Sequence, residues 1–294
     1  MSEIITISAE EIAAHRPDVL LPPDPEFAGQ YASAVQDGRE IASVSSVALV
    51  AICRNAMPWL PQTLALVEQT GAMFQDWRAY IYENDSSDGT KDVLAAWADG
   101  AQRVVSLNDN GRPHLSYTIA PERTHALAEY RTVCQEWVRS LKPRPGWTIV
   151  FDTDPWGGWS VDGVATSVAQ ITGGLWYGLA SYSWAEMNSS AGPVSLHYDE
   201  FACRWGGWQK RDGSWFHHWH PRVGGPPVEM NSAFGQLAVY QTRSFIDGEY
   251  TGGDCEHVNL HKSIARKAHR SFGLNPSSRC VSFWVPNGGQ HRDH

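Results

Sequence analysis

The pattern of apolar positions changes at residue 46 and then repeats as far as about residue 183. Continuous runs rich in Val and Ile, which are typical of strands buried on both faces, alternate with segments whose apolar residues recur at helical spacing. The predicted strands lie at 46–54, 77–85, 103–107, 147–152 and 175–184, and the predicted helices at 60–74, 86–100, 121–142 and 160–171. This alternation indicates an α/β fold with a mostly parallel central sheet and helices on both faces.

The two ends of the chain do not follow this alternation. Residues 1–45 precede it as an N-terminal extension, and the proline-rich stretch within them, residues 16–27, predicts extended backbone. From residue 184 to about 230 the chain is rich in Trp, Gly and His with weak periodicity, and only a strand at 232–241 and a helix at 255–269 are predicted beyond. We therefore expect the extension at 1–45 and one domain at 46–294, divided into a regular half (46–183) and a less regular half (184–294).

The strand predicted at 147–152 ends in two aspartates one residue apart, Asp152 and Asp154, followed by Pro155 and Trp156. Ligands of parallel α/β sheets bind beyond the carboxyl ends of the strands, and alternate residues of an extended segment point the same way. Two carboxylates side by side in that place suit Mg²⁺ or Mn²⁺ bridging to a diphosphate. The alternative interpretation is an ordinary strand end with solvated or capping aspartates.

A second polar segment, "IYENDSSDGT", ends the strand before it in Glu83 and Asp85. Its Ser and Asp residues predict a capped turn into a helix. Carboxylates also accept hydrogen bonds from ribose hydroxyls and base edges, so Glu83 and Asp85 are candidates for binding a nucleotide.

The segment "GGDCEHVNLHKSIARKAH" brings acids and histidines behind two glycines. Asp254 and Glu256 are candidate catalytic bases or acceptor-binding groups. His257 and His261 are four residues apart, so they share one face of a helix and are candidate ligands of one metal ion. A zinc or manganese hydrolase using Asp254, His257 and His261 is therefore an alternative function.

Fourteen tryptophans suggest another alternative, a non-catalytic module that binds sugars on its aromatic side chains. The segment "WFHHWHP" contains His217, His218 and His220, which could form a metal cluster. Because no matching Cys or His spacing accompanies it, we favour a loop that presents aromatic rings to a sugar or acceptor.

Charge and cysteine content narrow the cellular context. The formal net charge of −9 and the absence of a dense basic run leave a nucleic-acid partner possible but not favoured. Five cysteines at wide spacings without a CxxC pair predict reduced thiols in a cytoplasmic protein. We predict neither a secretory signal nor a membrane span, since no run approaches about 18 apolar residues.

Several motifs in order resemble those of GT-A nucleotide-sugar glycosyltransferases, in particular the family of fungal capsule-associated mannosyltransferases and its bacterial and viral relatives. They are "ICRNAMPWLPQTLALVE", "IYENDSSDGT", "FDTDP", "YDEFACR", "MNSAFGQLAVYQ" and "GDCEHVNLH", between about residues 47 and 262. The resemblance implies a GT-A fold and a hexosyltransferase that uses a UDP- or GDP-sugar with Mn²⁺ or Mg²⁺. Pro155 and Trp156 depart from the family pattern, which leaves the acceptor open.

The resemblance also implies roles at matching positions. It places the following residues at the nucleotide-sugar: Arg54, Glu83, Asp85, Arg131, Asp152, Asn231 and Ser232. It makes Asp152 and Asp154 the metal-binding pair, with His261 or His257 as a third ligand, and Glu256 the active-site acid. The acceptor is a hydroxyl group of a glycan or, in a viral setting, of a modified DNA base. The anomeric configuration inverts if Glu256 or Asp254 deprotonates that hydroxyl and is retained if the carboxylate is too distant.

Overall fold

The computed structural model describes residues 7–115, 118–210 and 214–286. Ten strands lie in these ranges: β1 (Ser46–Cys53), β2 (Asp76–Asn84), β3 (Arg103–Asn108), β4 (Trp147–Phe151), β5 (Gly158–Trp159), β6 (Trp176–Ser189), β7 (Gly192–His197), β8 (Val228–Met230), β9 (Leu237–Gln241) and β10 (Ser271–Phe283). The α-helices in the same ranges are α1 (Ala9–Ala14), α2 (Pro17–Leu20), α3 (Ala28–Ser43), α4 (Leu60–Gly71), α5 (Thr90–Trp97), α6 (Pro121–Ser140), α7 (Val161–Thr172), α8 (Ser214–His217), α9 (Thr242–Asp247) and α10 (Glu256–Ala265).

All ten strands belong to one sheet, in the order β3-β2-β1-β4-β9-β6-β10-β5, with β7 on β6 and β8 on β10. Strands β3, β2, β1 and β4 are mutually parallel. Strand β9 is antiparallel to both β4 and β6. Strand β6 and its parallel neighbour β10 therefore run in the same direction as β1, β2, β3 and β4. The prediction of a mostly parallel sheet is confirmed.

Helices cover both faces of the sheet, as the continuous apolar strands require. Along β1 the buried side chains alternate between two clusters, with Ala48 and Val50 on one face and Val47, Leu49 and Ala51 on the other. Helices α6, α9 and α10 pack on the first face, and α4, α5 and α7 on the second. The core therefore consists of two apolar layers, and the edge of the sheet is left for polar groups.

The expectation that residues 16–27 are extended is wrong at Pro17–Leu20, which form α2, and the N-terminal segment also contains α1 and α3. Helix α3 packs on α7 so closely that a Cβ on Gly38 would lie 1.8 Å from the carbonyl oxygen of Ala165. The fully buried Arg279 binds Asp18 at 2.7 Å, and Trp284 Nε1 donates to Glu11 Oε1 at 2.9 Å. The segment is thus part of the folded domain.

Strand β10 is a central strand that the hydrophobic pattern does not predict. Asn275, Pro276, Ser277, Ser278 and Arg279 interrupt its apolar run, and the register against β6 shifts at that point. Arg279 and the serines are buried with hydrogen-bond partners, which the pattern of apolar positions cannot reveal.

All five cysteines are free thiols, as predicted. No helix in the described ranges has the length and apolar character needed to cross a bilayer.

Candidate active site

The polar ends of three neighbouring parallel strands meet at one edge of the sheet. Cys53 of β1 pairs in register with Glu83 of β2, and Ala51 pairs with Phe151 of β4. Because β9 is antiparallel, its beginning lies at the same edge, and the N–H of Asp152 donates to the carbonyl of Gln236 at 2.9 Å. The fold therefore brings the segments predicted to carry chemistry to one place.

The turn behind β4 is fixed from both sides. Thr63 Oγ1 donates to the carbonyl of Thr153 at 3.1 Å, and Gln62 Nε2 donates to the carbonyl of Trp156 at 2.8 Å. The ring of Trp156 stacks on Trp59 with centroids 4.9 Å apart. The two aspartates in this turn are thus presented by a rigid frame.

The two aspartates differ in their surroundings. Asp152 is half-buried and bound to Arg131, whereas the side chain of Asp154 is exposed. Desolvation and the negative charge of Asp152 raise the pKa of Asp154 to about 6. Two like charges held close together favour a proton or a cation beside them.

Arg131 lies in the interior between two carboxylates. Its Nη2 donates to Asp152 Oδ1 at 2.8 Å, its Nε lies 3.7 Å from Glu256 Oε1, and its guanidinium sits 5.3 Å from the ring centre of Phe234. Burial lowers the pKa of Arg131, but the charges of Asp152 and Glu256 outweigh that effect and raise it. Arg131 therefore links the strand-end acid to the acid that begins α10.

Glu256 and His257 begin α10 in the interior of the site. Burial raises the pKa of Glu256 despite the nearby charge of Arg131. The ring of His257 stacks on Phe234 with centroids 3.7 Å apart, and its Nε2 lies 3.4 Å from Glu256 Oε1 without the alignment of a hydrogen bond. Both ring nitrogens of His257 are buried and unpartnered, and desolvation followed by the charge of Arg131 lowers its pKa.

His261 and Ser232 are hydrogen-bonded to each other in the core. His261 Nδ1 lies 2.8 Å from Ser232 Oγ, and its Nε2 lies 2.8 Å from the hydroxyl of Tyr240. Burial lowers the pKa of His261 to about 3, so the ring is neutral. In this arrangement neither ring nitrogen of His261 is available to a metal ion, and the hydroxyl of Ser232 is not presented to a ligand.

Asp254 is held by an ion pair with the fully buried Arg204, whose Nη2 donates to Asp254 Oδ1 at 2.6 Å. The same oxygen accepts from the N–H of Cys255 at 2.8 Å. Within residues 7–115, 118–210 and 214–286, no three His, Cys, Asp or Glu side chains are placed to hold one metal ion. The structure therefore gives no support to a metal centre built from Asp254, His257 and His261.

The histidines of "WFHHWHP" that have side-chain partners make local contacts. His220 Nδ1 lies 2.6 Å from the hydroxyl of Tyr182, and His217 Nε2 lies 3.2 Å from Glu200. Nearby, the rings of Trp205 and Trp215 are 51% and 41% exposed with centroids 5.6 Å apart. These two tryptophans are candidates for contact with a sugar ring.

The loop after β2 interlocks with the loop after β1. Ser86 Oγ, Thr90 Oγ1 and Asp88 Oδ2 accept from the N–H groups of residues 55, 56 and 57, each at 2.9 Å. In return Asn55 Oδ1 accepts from the N–H of Ser87 at 2.9 Å. Most polar groups of "ENDSSDGT" therefore hold the turn, as the capping interpretation predicts.

The remaining nucleotide-binding candidates lie around this loop. Glu83 Oε1 accepts from the N–H of Ser86 at 2.8 Å, and its Oε2 is buried without a partner. Asp85 accepts from the N–H of Gly111 at 2.8 Å and lies 3.9 Å from Arg54, which donates to the carbonyls of residues 112 and 113. Asn231 directly follows β8, apart from this loop, and its Oδ1 accepts from the N–H of Gly207 at 3.1 Å.

One acid of the site is absent from the sequence-based candidates. Asp199 follows β7 with a φ of 77°, and its Oδ2 accepts from the N–H of Gly235 at 3.0 Å. Burial, with the charges of Asp152 and Glu256, raises the pKa of Asp199 to about 7. The segment "YDEFACR" contains it, but one acid in a segment of weak periodicity has no spacing that marks it.

The arrangement fits a divalent cation bound partly by protein. Asp152 and Asp154 supply hard oxygen ligands at a fixed turn. Arg131 is hydrogen-bonded to Asp152 and not to Asp154. Mg²⁺ is usually held by one or two carboxylates together with substrate phosphates and water, so a third protein ligand is not required.

Comparisons with known proteins support the fold. No family model and no curated protein sequence matches the chain. A crystal structure of GalNAc-T7 with UDP, GalNAc and Mn²⁺ matches with a TM-score of 0.54 and 13% identity, covering 98% of this chain and 56% of that one. The chain thus spans about half the length of that protein, and at this identity the match shows the GT-A glycosyltransferase fold alone.

Two further structures are similar at lower scores. A glucosyl-3-phosphoglycerate synthase of M. tuberculosis has a TM-score of 0.49 and 11% identity, covering 88% of this chain and 77% of that one. The mannosyltransferase PcManGT of Pyrobaculum calidifontis, crystallised with GDP-Man and Mn²⁺, has a TM-score of 0.47 and 13% identity, covering 90% and 68%. Scores below 0.5 add no argument about this chain.

Proposed function

We propose that the protein is a glycosyltransferase that moves a hexose from a UDP- or GDP-sugar to a hydroxyl acceptor, with Mn²⁺ or Mg²⁺ held by Asp152 and Asp154. The observation that carries the proposal is this acidic pair, fixed in a rigid turn at the carboxyl end of β4 and backed by Arg131. The fold shared with GalNAc-T7, which was crystallised with UDP and Mn²⁺, agrees with it.

The nucleotide lies, in this proposal, along the ends of β1 and β2. The unpartnered buried oxygen of Glu83 and the carboxylate of Asp85 accept hydrogen bonds from hydroxyl or base N–H groups, and Arg54 adds positive charge. Asn231, which follows β8, contacts the donor sugar in this proposal, as the resemblance implies. The interlocked loop of residues 84–90 keeps this surface preorganised.

The chemical barrier is the negative charge that develops on the departing diphosphate. A divalent cation bound at Asp152 and Asp154 would neutralise part of that charge. Arg131 holds Asp152 in place by a hydrogen bond, and its charge offsets part of the desolvation that raises the pKa of this carboxyl group. His257 is kept neutral by burial, so its two free nitrogens offer an acceptor and a donor inside the site.

A thermal-shift screen of UDP-, GDP- and CDP-sugars, each with and without Mn²⁺, tests the proposal first. A ligand that binds only the folded protein raises its melting temperature by mass action. We expect one nucleotide class to raise it only when Mn²⁺ is present, and the same pair to release nucleoside diphosphate on incubation. The variant Asp154→Asn should lose both effects, whereas Asp37→Asn, which changes an exposed aspartate of α3, should keep them. No stabilisation by any nucleotide-sugar would overturn the proposal.

A further inference from the structure

Transfer to a hydroxyl group requires a base, and the structure restricts which acid can serve. Asp254 is locked to the buried Arg204 at 2.6 Å, with the N–H of Cys255 on the same oxygen. Glu256 is 4% exposed and lies behind Arg131 and His257. Glu256 therefore presents no free carboxylate to an acceptor, and Asp254 presents only Oδ2, because Arg204 and the N–H of Cys255 hold its Oδ1.

Asp199 is placed differently. It is partly exposed, it lies between β7 and the short 3₁₀ turn Glu200–Ala202, and the N–H of Tyr198 before it donates to the carbonyl of Ser183 on β6 at 2.8 Å. Its φ of 77° lies in the left-handed region, which costs a residue other than glycine about 1–2 kcal/mol. Strain of this kind persists where the surrounding structure enforces it, often at functional sites.

A single loop ties Asp199 to the acidic pair. Oδ2 of Asp199 accepts from the N–H of Gly235, and the carbonyl of the next residue, Gln236, accepts from the N–H of Asp152. Gly235 has a φ of 61°, and a Cβ there would lie 2.1 Å from the carbonyl oxygen of Ser181. The loop therefore packs closely against β6, and its two hydrogen bonds connect the carboxylate of Asp199 to the backbone of Asp152.

The surroundings of Asp199 suit proton transfer near neutral pH. Desolvation raises its pKa, the N–H of Gly235 lowers it, and the charges of Asp152 and Glu256 raise it again, which gives about 7. The thiols of Cys203 and Cys255 also face it and remain neutral, because burial raises the pKa of both. A general base works best when its pKa is near the working pH.

We infer that Asp199 is the general base that takes the proton from the acceptor hydroxyl, which rests on the proposed function. The acceptor oxygen forms a bond to the anomeric carbon of the donor sugar as its proton moves to Asp199. The bond from that carbon to the diphosphate oxygen breaks, and its electron pair leaves with the nucleoside diphosphate. Attack from the side opposite the leaving group inverts the anomeric configuration, and Asp199 then returns its proton to solvent.

Two variants test the inference in the full chain with the nucleotide-sugar and Mn²⁺ selected by the thermal-shift screen. Asp199→Asn keeps the shape of the side chain, and Asp199→Gly suits the left-handed backbone, so at least one of them should fold. With water as acceptor, we expect release of nucleoside diphosphate to fall by about 10²–10⁴-fold, the usual contribution of a general base. The dissociation constant of the donor should change less than about threefold, since Asp199 does not bind it.

Sodium azide separates a base from a donor-binding group. Azide is an anion and attacks without losing a proton, so it should restore the release in Asp199→Gly and yield a glycosyl azide of inverted configuration. Glu200→Gln is the matched control, because Glu200 adjoins Asp199 and pairs only with Lys210 and His217 among the ion pairs of the described ranges.

The outcomes are distinguishable. Retained release within threefold in both Asp199 variants would overturn the inference and leave the proposed function standing. The inference would also be overturned if the release of nucleoside diphosphate is lost and azide does not restore it, or if the nucleotide-sugar binds more weakly. Asp199 would then position the nucleotide-sugar. If the unchanged protein releases no nucleoside diphosphate from any donor, the proposed function fails, and the inference fails with it.

Discussion

Two polar regions at the same edge of the sheet differ in how many of their polar groups have a hydrogen-bond or ion-pair partner within the protein. In the loop after β2, Ser86, Asp88 and Thr90 all accept from the backbone of the loop after β1. In the site behind β4, the ring nitrogens of His257 are unpartnered and the acids are only partly compensated by Arg131. In sequence the two regions look alike, as short runs of Asp, Glu, Asn and Ser behind apolar strands.

The difference teaches which polar groups are structural and which are kept for a ligand. Buried polar groups are almost always hydrogen-bonded, so a group without a partner in the folded chain calls for an explanation. A satisfied loop is expected to affect stability when mutated, whereas the unsatisfied acids are expected to affect binding and turnover. The following substitutions separate these expectations, beginning with the largest effect.

The change Asp154→Ala should reduce release of nucleoside diphosphate by about 10³-fold or more, because it removes a ligand of the charge-neutralising cation. Stability should not fall, since the substitution also relieves the repulsion from Asp152. Initial rates measured across a Mn²⁺ titration, with Asp37→Ala as control, check this. Full activity of Asp154→Ala without added metal would contradict the account.

The change Arg131→Met should lower the free energy of unfolding by about 3–5 kcal/mol, because it leaves the charges of Asp152 and Glu256 without their buried partner. Denaturant unfolding measures the effect. The double variant Arg131→Met with Glu256→Gln should recover part of the loss. Equal stability of the single and double variants would show that Arg131 does not compensate Glu256.

The pH dependence of stability should carry a signature of Asp199. Its pKa in the folded protein, about 7, lies above the usual value of 3.8, so the folded state binds more protons than the unfolded state between those values. Stability from this group is therefore full below about pH 4 and is lost as the pH rises through about 7, by about 4 kcal/mol at most. The free energy of unfolding, measured against pH in the presence of a chelator, should vary less for Asp199→Asn than for the unchanged protein. Identical pH dependence in the two proteins would contradict a raised pKa at Asp199.

The change Asp88→Ala should lower the free energy of unfolding by about 1–2 kcal/mol, because the N–H groups of Met57 and Thr90 lose their acceptors. Turnover should be kept under conditions where the protein is folded. Asp92→Ala, which alters an exposed aspartate in the first turn of α5, should change stability by less than about 0.5 kcal/mol. A loss of turnover without a loss of stability would place Asp88 among the ligand-binding groups.

The change Glu83→Gln should have the smallest effect. We expect the dissociation constant of the nucleotide-sugar to rise five- to tenfold, which corresponds to about 1 kcal/mol of binding free energy. The amide oxygen can still accept from the N–H of Ser86, so stability should be kept. Titration of the donor in the presence of Mn²⁺ gives the dissociation constant. An unchanged value would limit Glu83 to the turn it closes.

The regular half of the fold follows from its hydrophobic pattern, because strands buried on both faces have continuous apolar runs. Strand β10 does not, since buried polar groups such as Arg279 acquire their partners only from distant parts of the chain, including Asp18. The prolines of the N-terminal segment predict extended backbone at residues 16–27, but Pro17 begins the short helix α2, and α3, which packs against α7, follows the last of these prolines.

The position of Asp152 and Asp154 at the carboxyl end of a strand was predictable, because acids that directly follow an apolar strand lie at the edge of the sheet. The role of a residue was not predictable where it depends on a tertiary partner. Arg204 engages Asp254, and Ser232 and Tyr240 engage His261, although no spacing in the sequence connects these residues. Asp199 was missed because its significance arises from its backbone angle and its contact with Gly235.

Binding of Mn²⁺ measured by electron paramagnetic resonance, with and without UDP or GDP, tests the central claim most directly. The account predicts that the protein alone binds Mn²⁺ weakly, that one nucleoside diphosphate tightens the binding at least about tenfold, and that Asp152→Asn with Asp154→Asn abolishes the tightening. If this double variant binds Mn²⁺ and nucleotide as the unchanged protein does, the acidic pair behind β4 is not the cation site.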